Sequence, residues 1–317
     1  MICDVIKLKR VKVAAFVFVT SILAISLSYS VISYADAYSF ISKWGSKGSL
    51  DGQFALPSGI AVDSSSDIYI LDTGNNRIQK FSDNGTFITK WGSRGEGAGQ
   101  FVEPTAIAID PVGNIYITDK GSTLKKFYSD GSTLATWSDT FNNPGGIAID
   151  PSGKVVISHT DAHAVDTYTV DGEFQSTIGT NGVGDGQFSY PSSVAFDPSG
   201  NIYVLDTGNN RIQKFGVDGQ FITKLGSQGS GDGQFIRPSG IAVDSSGSIY
   251  VVDSGNNRIQ KFTSEGEFTT KWGSQGSGDG QFIRPSGIAI DSSGNVFVVD
   301  TGNTRVQVFA ESPSSPS

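Results

Sequence analysis

Segments that begin with Pro and run into a Gly-Ile-Ala-Val-Asp pattern recur at a nearly constant spacing. Each period holds four short strand patterns. The fourth strand missing from the last period lies at the other end of the chain. Together these three observations predict an all-β fold, a single six-bladed β-propeller with four-stranded blades. The segments start at Pro57, Pro104, Pro144, Pro191, Pro238 and Pro285, so the spacings are 47, 40, 47, 47 and 47 residues.

Within a period, "SGIAVD" is a short apolar strand. "SSGSIYVVD" (Ser245 to Asp253) places a Gly turn before a second strand rich in Ile, Val and Tyr. "RIQKF" alternates apolar and polar residues, as a half-buried third strand should, and "GEFTTKWG" alternates again. The sixth repeat stops after its third strand, "RVQVF" (Arg305 to Phe309). "SFISKWGSKGSLDGQF" (Ser39 to Phe54) matches "EFTTKWGSQGSGDGQF" (Glu267 to Phe282). The N-terminal strand is therefore expected to complete the last blade, which closes the ring and leaves no open sheet edge.

The predicted propeller covers residues 38–309, followed by a polar tail over 310–317 that is expected to be disordered. Residues 1–37 stand apart. Lys7, Lys9, Arg10 and Lys12 precede an uncharged apolar run, Val13 to Ser33, and then Ala35, Asp36 and Ala37 in the small-x-small form of a cleavage site. This is the layout of a secretory signal, and the run is also long enough to stay as a membrane anchor. Either outcome places the rest of the chain outside the cytoplasm.

Of 317 residues, 40 are Gly and 11 are Pro; with 20 Phe, 10 Tyr and 4 Trp a sizeable core is available. The net charge is -8. Without residues 1–37 the chain has 19 basic and 29 acidic residues, a net charge of -10. Such a body repels nucleic acid, whose binding rests on Lys and Arg contacts to phosphates. The one cysteine, Cys3, precedes the apolar run, so the exported part has neither disulfide nor thiol chemistry.

The pattern P-x-G-I-A-V-D … I-Y-V-x-D-x-x-N-x-R-I-Q-x-F resembles the NHL repeat family of six-bladed propellers. The resemblance covers roughly residues 38 to 309. It implies the fold strongly and the function weakly, because propellers host many unrelated functions.

"DTGNNR" (Asp72 to Arg77) joins the second strand to the third. Gly74 can take φ > 0, and Asn75 and Asn76 tolerate it. An Asp at the loop entrance can pair with the Arg five residues on. The pairs Asp72/Arg77, Asp206/Arg211, Asp253/Arg258 and Asp300/Arg305 are read as structural loop clasps rather than as a ring of ligand-binding carboxylates. Repeat three has His159 and Ala164 instead. Repeat two keeps Asp119 but lacks the Arg, and its loop is one residue shorter.

"GSQGSGDGQF" connects one blade to the next. Its aspartates, Asp51, Asp185, Asp232 and Asp279, could suggest calcium, but one carboxylate per loop falls short of the six to eight oxygens that calcium wants. A plain flexible connector is expected. Trp44, Trp91, Trp137 and Trp272 share one repeat position with Ile178 and Leu225, which marks a blade-to-blade packing position and not a sugar platform. His159 and His163 lie four residues apart. On an extended strand that is about 13 Å, too far to share a zinc ion. Some NHL-like propellers are amidating lyases that need several metal-binding histidines, which two in one stretch do not supply. No nucleophile elbow, P-loop or H-E-x-x-H motif occurs.

Repeats two and three break the pattern on one face, and the connector between them, "SDTFNNPG" (Ser138 to Gly145), is seven residues short. Lys120, Ser122, Lys125, His159, Thr160, Asp161 and His163 are therefore the candidate ligand- or partner-binding residues; drift in older repeats is the competing explanation. No catalytic residue and no cofactor is expected, with calcium and zinc as the alternatives. The expected function is a monomeric, non-enzymatic, extracytoplasmic scaffold for a protein, peptide or surface polymer. It would touch a membrane only through an uncleaved N-terminal segment. A lyase or lactonase-like hydrolase with its site at the channel mouth is one alternative, and a structural cell-surface protein is another.

Overall fold

Blade one consists of Ile60–Val62, Ile68–Asp72, Arg77–Phe81 and Phe87–Trp91, and its strands pair antiparallel in chain order. Four further blades repeat this order. The last joins Ile288–Ile290, Val296–Asp300 and Arg305–Glu311 to the N-terminal strand Tyr38–Trp44. The computed structural model describes residues 37–121, 123–137, 141 and 143–312. The expected signal or anchor, apart from Ala37, lies outside the described residues. Helical residues among those described are confined to short 3-10 turns such as Thr73–Asn75, and no described helix is long and apolar enough to cross a membrane.

The closure is built as the repeat arithmetic requires. Phe40 pairs with Phe309 and Trp44 with Val306. The pairing runs on to Ser39 with Ala310 and Tyr38 with Glu311, and Ser312 N–H donates to the Ala37 carbonyl at 2.9 Å. The third strand thus extends two residues past Phe309, into the segment expected to be tail.

The core lies between blades. Tyr69, Leu71 and Ile78 of blade one pack with Ile107, Ile115, Ile117 and Phe127 of blade two, and five equivalent clusters complete the ring. Each large side chain buried this way stabilises the fold by about 1.5–3 kcal/mol. Because blades cover one another on both faces, Ile68–Asp72 is buried along its whole length. The third strand is more deeply buried than its alternation suggests. Gln79 is fully buried, and only Lys80 in Arg77–Phe81 is partly exposed.

The tryptophans act between blades. Trp91 lies over the hairpin turn of blade two, where Gly131 (φ 86°) has no Cβ to collide with it. A Cβ at Gly131 would come within 2.6 Å of the indole ring. Trp44, Trp137, Ile178 and Leu225 meet the corresponding glycines of their next blades. Trp272 faces the seam, where no such hairpin exists. Tyr38 takes its place, stacking on Trp272 at 4.2 Å between ring centroids and 14° between planes.

Candidate functional site

Asp72 ends the second strand and is fully buried. Its Oδ2 accepts from Arg77 Nε (2.7 Å), Asn75 Nδ2 (2.8 Å) and Gln79 Nε2 (3.2 Å), and its Oδ1 accepts from Ala55 N–H (2.7 Å). Arg77 spends its other donors on the preceding connector: Nη1 on the Ser49 carbonyl (2.8 Å), Nη2 on those of Leu50 (2.8 Å) and Gln53 (2.9 Å). The same set recurs around Asp206/Arg211, Asp253/Arg258 and Asp300/Arg305. A buried charge pair is tolerable because both carboxylate oxygens and each guanidinium nitrogen are hydrogen-bonded.

Gly74 is needed for a different reason from the one expected. Its φ is not positive; Asn76 is the left-handed residue, at φ 53°. Gly74 N–H donates to the Ala55 carbonyl at 2.7 Å, and a Cβ on Gly74 would sit 2.6 Å from that oxygen. The limit is close approach, not backbone handedness.

The connectors are not plain flexible links. Ser46 and Lys47 pair in parallel with Gln53 and Phe54, and the Arg77 guanidinium grips the loop from below. Their recurrent aspartates pair with lysines of the outer strands: Asp51 with Lys90, Asp185 with Lys224, Asp232 with Lys271 and Asp279 with Lys43. In blade two both partners are lost together, as Ala98 and Thr136. The sequence carried that correlation, and pairing the connector with a strand 39 residues away would have found it.

Blade two rebuilds the clasp. Lys125, at the register position of Gln79, reaches Asp119 Oδ2 at 2.9 Å; both side chains are buried. Asp119 also accepts from Thr123 Oγ1 (2.9 Å) and Val102 N–H (3.1 Å). In blade three the partners change places. His159 stands at the Asp position and Asp166 at the Gln position, with Nε2 3.1 Å from Asp166 Oδ2. That contact is close but poorly directed for a hydrogen bond, since Nε2 has no well-aligned acceptor. Phe141 stacks on the imidazole at 5.9 Å and 5°. Burial opposes ionisation of Asp166, yet His159 and the Thr177 hydroxyl (2.6 Å) outweigh it and hold the carboxyl below its usual range.

Lys125 and His159, expected to meet a ligand, are therefore interior groups. Thr160 donates to the Pro191 carbonyl at 3.0 Å, as Thr73 does to Pro104 at 2.9 Å, which staples blades three and one to their next blades. His163 Nδ1 accepts from Tyr190 N–H at 3.0 Å, the part that Asn76 plays for Glu103. Lys120 is exposed and pairs with Glu103 at 2.6 Å; its ammonium holds that carboxyl below the usual range. Asp161 is exposed, and Ser122 lies outside the described residues. Among the described candidates, Lys120 and Asp161 are exposed and Thr160 and His163 are half-buried. No group of three or more metal-ligating side chains occurs among the described residues.

The central channel, a cavity of about 110 Å3, takes three residues from the first strand of each blade or the segment leading into it: Ser58, Gly59 and Ile60 in blade one, Gly145, Gly146 and Ile147 in blade three. Its lining is Ser, Thr, Gly, Ala, Val and Ile throughout, without a carboxylate or imidazole. Several hydroxyls are already engaged, such as Ser58 with Thr73 at 2.6 Å and Ser192 with Thr207 at 2.5 Å. On the opposite face Asp110 Oδ1 accepts from Val112 N–H (3.1 Å) and Asn114 N–H (2.8 Å), so the aspartate closing each "GIAVD" serves a turn.

Comparison with known proteins bears on this architecture. The family model described as the NHL repeat matches residues 188–215, 235–262 and 282–309, and a second, described as a 6-bladed beta-propeller, matches 53–135. Two curated proteins match over 39 residues, 12% of this chain, at 51% identity. They are the protein brain tumor of Drosophila melanogaster and the B-box type zinc finger protein ncl-1 of Caenorhabditis elegans, and the match spans only 4% and 5% of their lengths. Among solved structures, the chain is similar to a gluconolactonase from Xanthomonas campestris (TM-score 0.64, 15% identity, covering 82% of this chain and 87% of that one). It is also similar to a virginiamycin B lyase from Staphylococcus aureus (0.59, 18%, 88% and 89%) and to a chain of a nidogen/laminin complex (0.62, 19%, 77% and 88%). At these identities the likeness is one of fold.

Proposed function

Taking as premise that this chain carries NHL repeats and closes as a six-bladed β-propeller, we propose that it is a non-enzymatic binding scaffold that works outside the cytoplasm and engages a partner on the face bearing the connectors. The observation that carries this reading is the channel. In a propeller enzyme of the lyase or lactonase kind, acidic or imidazole groups would have to face the axis. Here the lining is neutral, and several of its hydroxyls are engaged by neighbouring residues. The buried carboxylates and cations are spent on holding connectors and hairpins. The extracytoplasmic location rests on the basic cluster and apolar run of residues 7–33.

The test is chemical. The purified full chain is analysed for metal and assayed with a panel of lactones. The scaffold reading expects neither stoichiometric metal nor turnover. Tightly held zinc or calcium at one per chain together with lactone hydrolysis would overturn it in favour of an enzyme.

A further inference from the structure

The residue just before each repeat proline has a left-handed backbone in every blade: Leu56 (φ 48°), Glu103 (52°), Asn143 (48°), Tyr190 (50°), Arg237 (47°) and Arg284 (47°). A side chain disfavours this conformation, and the following proline pushes its predecessor toward extended backbone as well. Glycine would remove the conflict, and the chain uses glycine for positive φ at turns such as Gly131. At none of these six positions does it do so. At Glu103, Tyr190, Arg237 and Arg284 a side-chain acceptor from the preceding blade holds the conformation. Asn210 Oδ1 accepts from Arg237 N–H and Asn257 Oδ1 from Arg284 N–H, both at 2.9 Å, as His163 does from Tyr190. Strain kept in place by its surroundings is characteristic of ligand clamps.

These positions also differ from blade to blade where their neighbours repeat. Tyr190, Arg237, Arg284 and Leu56 come from blades four, five, six and one, which are consecutive around the ring. All four are exposed, Tyr190 at 54% and Leu56 at 61%. Arg77, Arg211, Arg258 and Arg305 are consumed by the clasps. Arg237 and Arg284 have no ion-pair partner among the described residues. Beyond Leu56 a pocket of about 270 Å3 opens between blades one and two, with Arg94 and Glu103 on its walls.

We propose that this arc docks an extended acidic peptide segment of a partner protein, with its carboxylates on Arg237 and Arg284 and its apolar side chains on Tyr190 and Leu56. The inference rests on the scaffold reading and names the site and partner chemistry for it. Arginine suits carboxylates through its planar, multiply donating head. A polyanion fits less well. It carries a charge on every unit, and the same face presents the half-exposed carboxylates of Asp185, Asp232, Asp279 and Asp51 beside the arc. Two cations flanked by apolar groups complement a short acidic stretch set among apolar residues.

The experiment selects random twelve-residue peptides, displayed on phage, on the immobilised full chain, and measures the binding of enriched peptides by fluorescence anisotropy. Enriched sequences should carry Asp or Glu beside Leu or aromatic residues. The double variant Arg237→Gln/Arg284→Gln should weaken them about tenfold or more, while Lys154→Gln on the opposite face should not. Arg237→Gly/Arg284→Gly, which suits the positive φ, should melt no lower than the parent and still lose binding. Acidic peptides that bind the Gln variant as well as the parent would overturn the arc and leave the scaffold reading standing. Failure to enrich acidic peptides, with heparin or single-stranded DNA bound through the same arginines, would overturn the peptide partner. The scaffold reading itself falls only on the metal and lactone experiment.

Discussion

Blades five and six carry the same clasp, residue for residue, whereas blades two and three each build a different one. In blade five Arg258 holds Asp253 and reaches back to the Ser230, Gly231 and Gln234 carbonyls. In blade three the connector that such an arginine would hold is seven residues shorter, and Ala164 stands at the arginine position. In blade two the connector is long, but Thr123 cannot span it, and Lys125 neutralises Asp119 from the next inward-facing position. Divergence between repeats is therefore not in itself a mark of a ligand site. At Lys125 and His159 it follows a local change in what has to be held, and these altered side chains point inward. Outward-facing variation lies at Lys120 and Asp161 and at the residue before each repeat proline.

Breaking a uniform clasp should have the largest effect. Arg258→Ala leaves Asp253 buried without its cation and the connector carbonyls without donors; a loss of about 3–5 kcal/mol is expected in denaturant unfolding. A double-mutant cycle with Asp253→Ala should show strong coupling, and additive losses would mean that the two do not act as a pair. In the divergent sector, Lys125→Met should cost about 3 kcal/mol for the same reason. Unchanged stability together with lost partner binding would return Lys125 to the list of ligand contacts and undo the comparison.

Asp166 in blade three has a pH signature. The Asp166 carboxyl is depressed below 3.8 in the folded chain, so its contribution is fully present above the unfolded value and is lost as pH falls through the lower folded value. Asp166→Asn should cost about 1 kcal/mol near neutrality. The difference between variant and parent should shrink below about pH 3.8. A gap that persists in acid would mean that the aspartate acts by shape and not by charge. The smallest effect belongs to the exposed pairs. Lys90→Gln removes the Asp51 contact and should change stability by well under 1 kcal/mol, an effect that added salt should erase.

Much of this architecture was legible in the chain itself. The spacing of the prolines, the four strand patterns and the match of Ser39–Phe54 to Glu267–Phe282 lead to six blades and to the seam. The joint presence of Asp and Arg in four repeats points to the pairs that Arg77 and its counterparts make. The burial of Lys125 and His159 was not legible. Loop position suggested exposure, and only the strand register places Lys125 opposite Ile117 and His159 beneath Phe141. Nor was the left-handed ring. A residue before proline reads as extended, and at Glu103, Tyr190, Arg237 and Arg284 the actual φ is held by an asparagine or histidine 27 positions earlier in the chain.

By itself the sequence determined the number of blades, their order and the way the ring closes, because each of these follows from a repeat whose strands must bury their faces against the next copy. Tertiary structure alone decided which polar residues are interior and which are free. Burial of a Lys, His or Asp depends on what lies across the sheet and in the adjoining blade, and the same pattern of letters serves either state until those neighbours are in place.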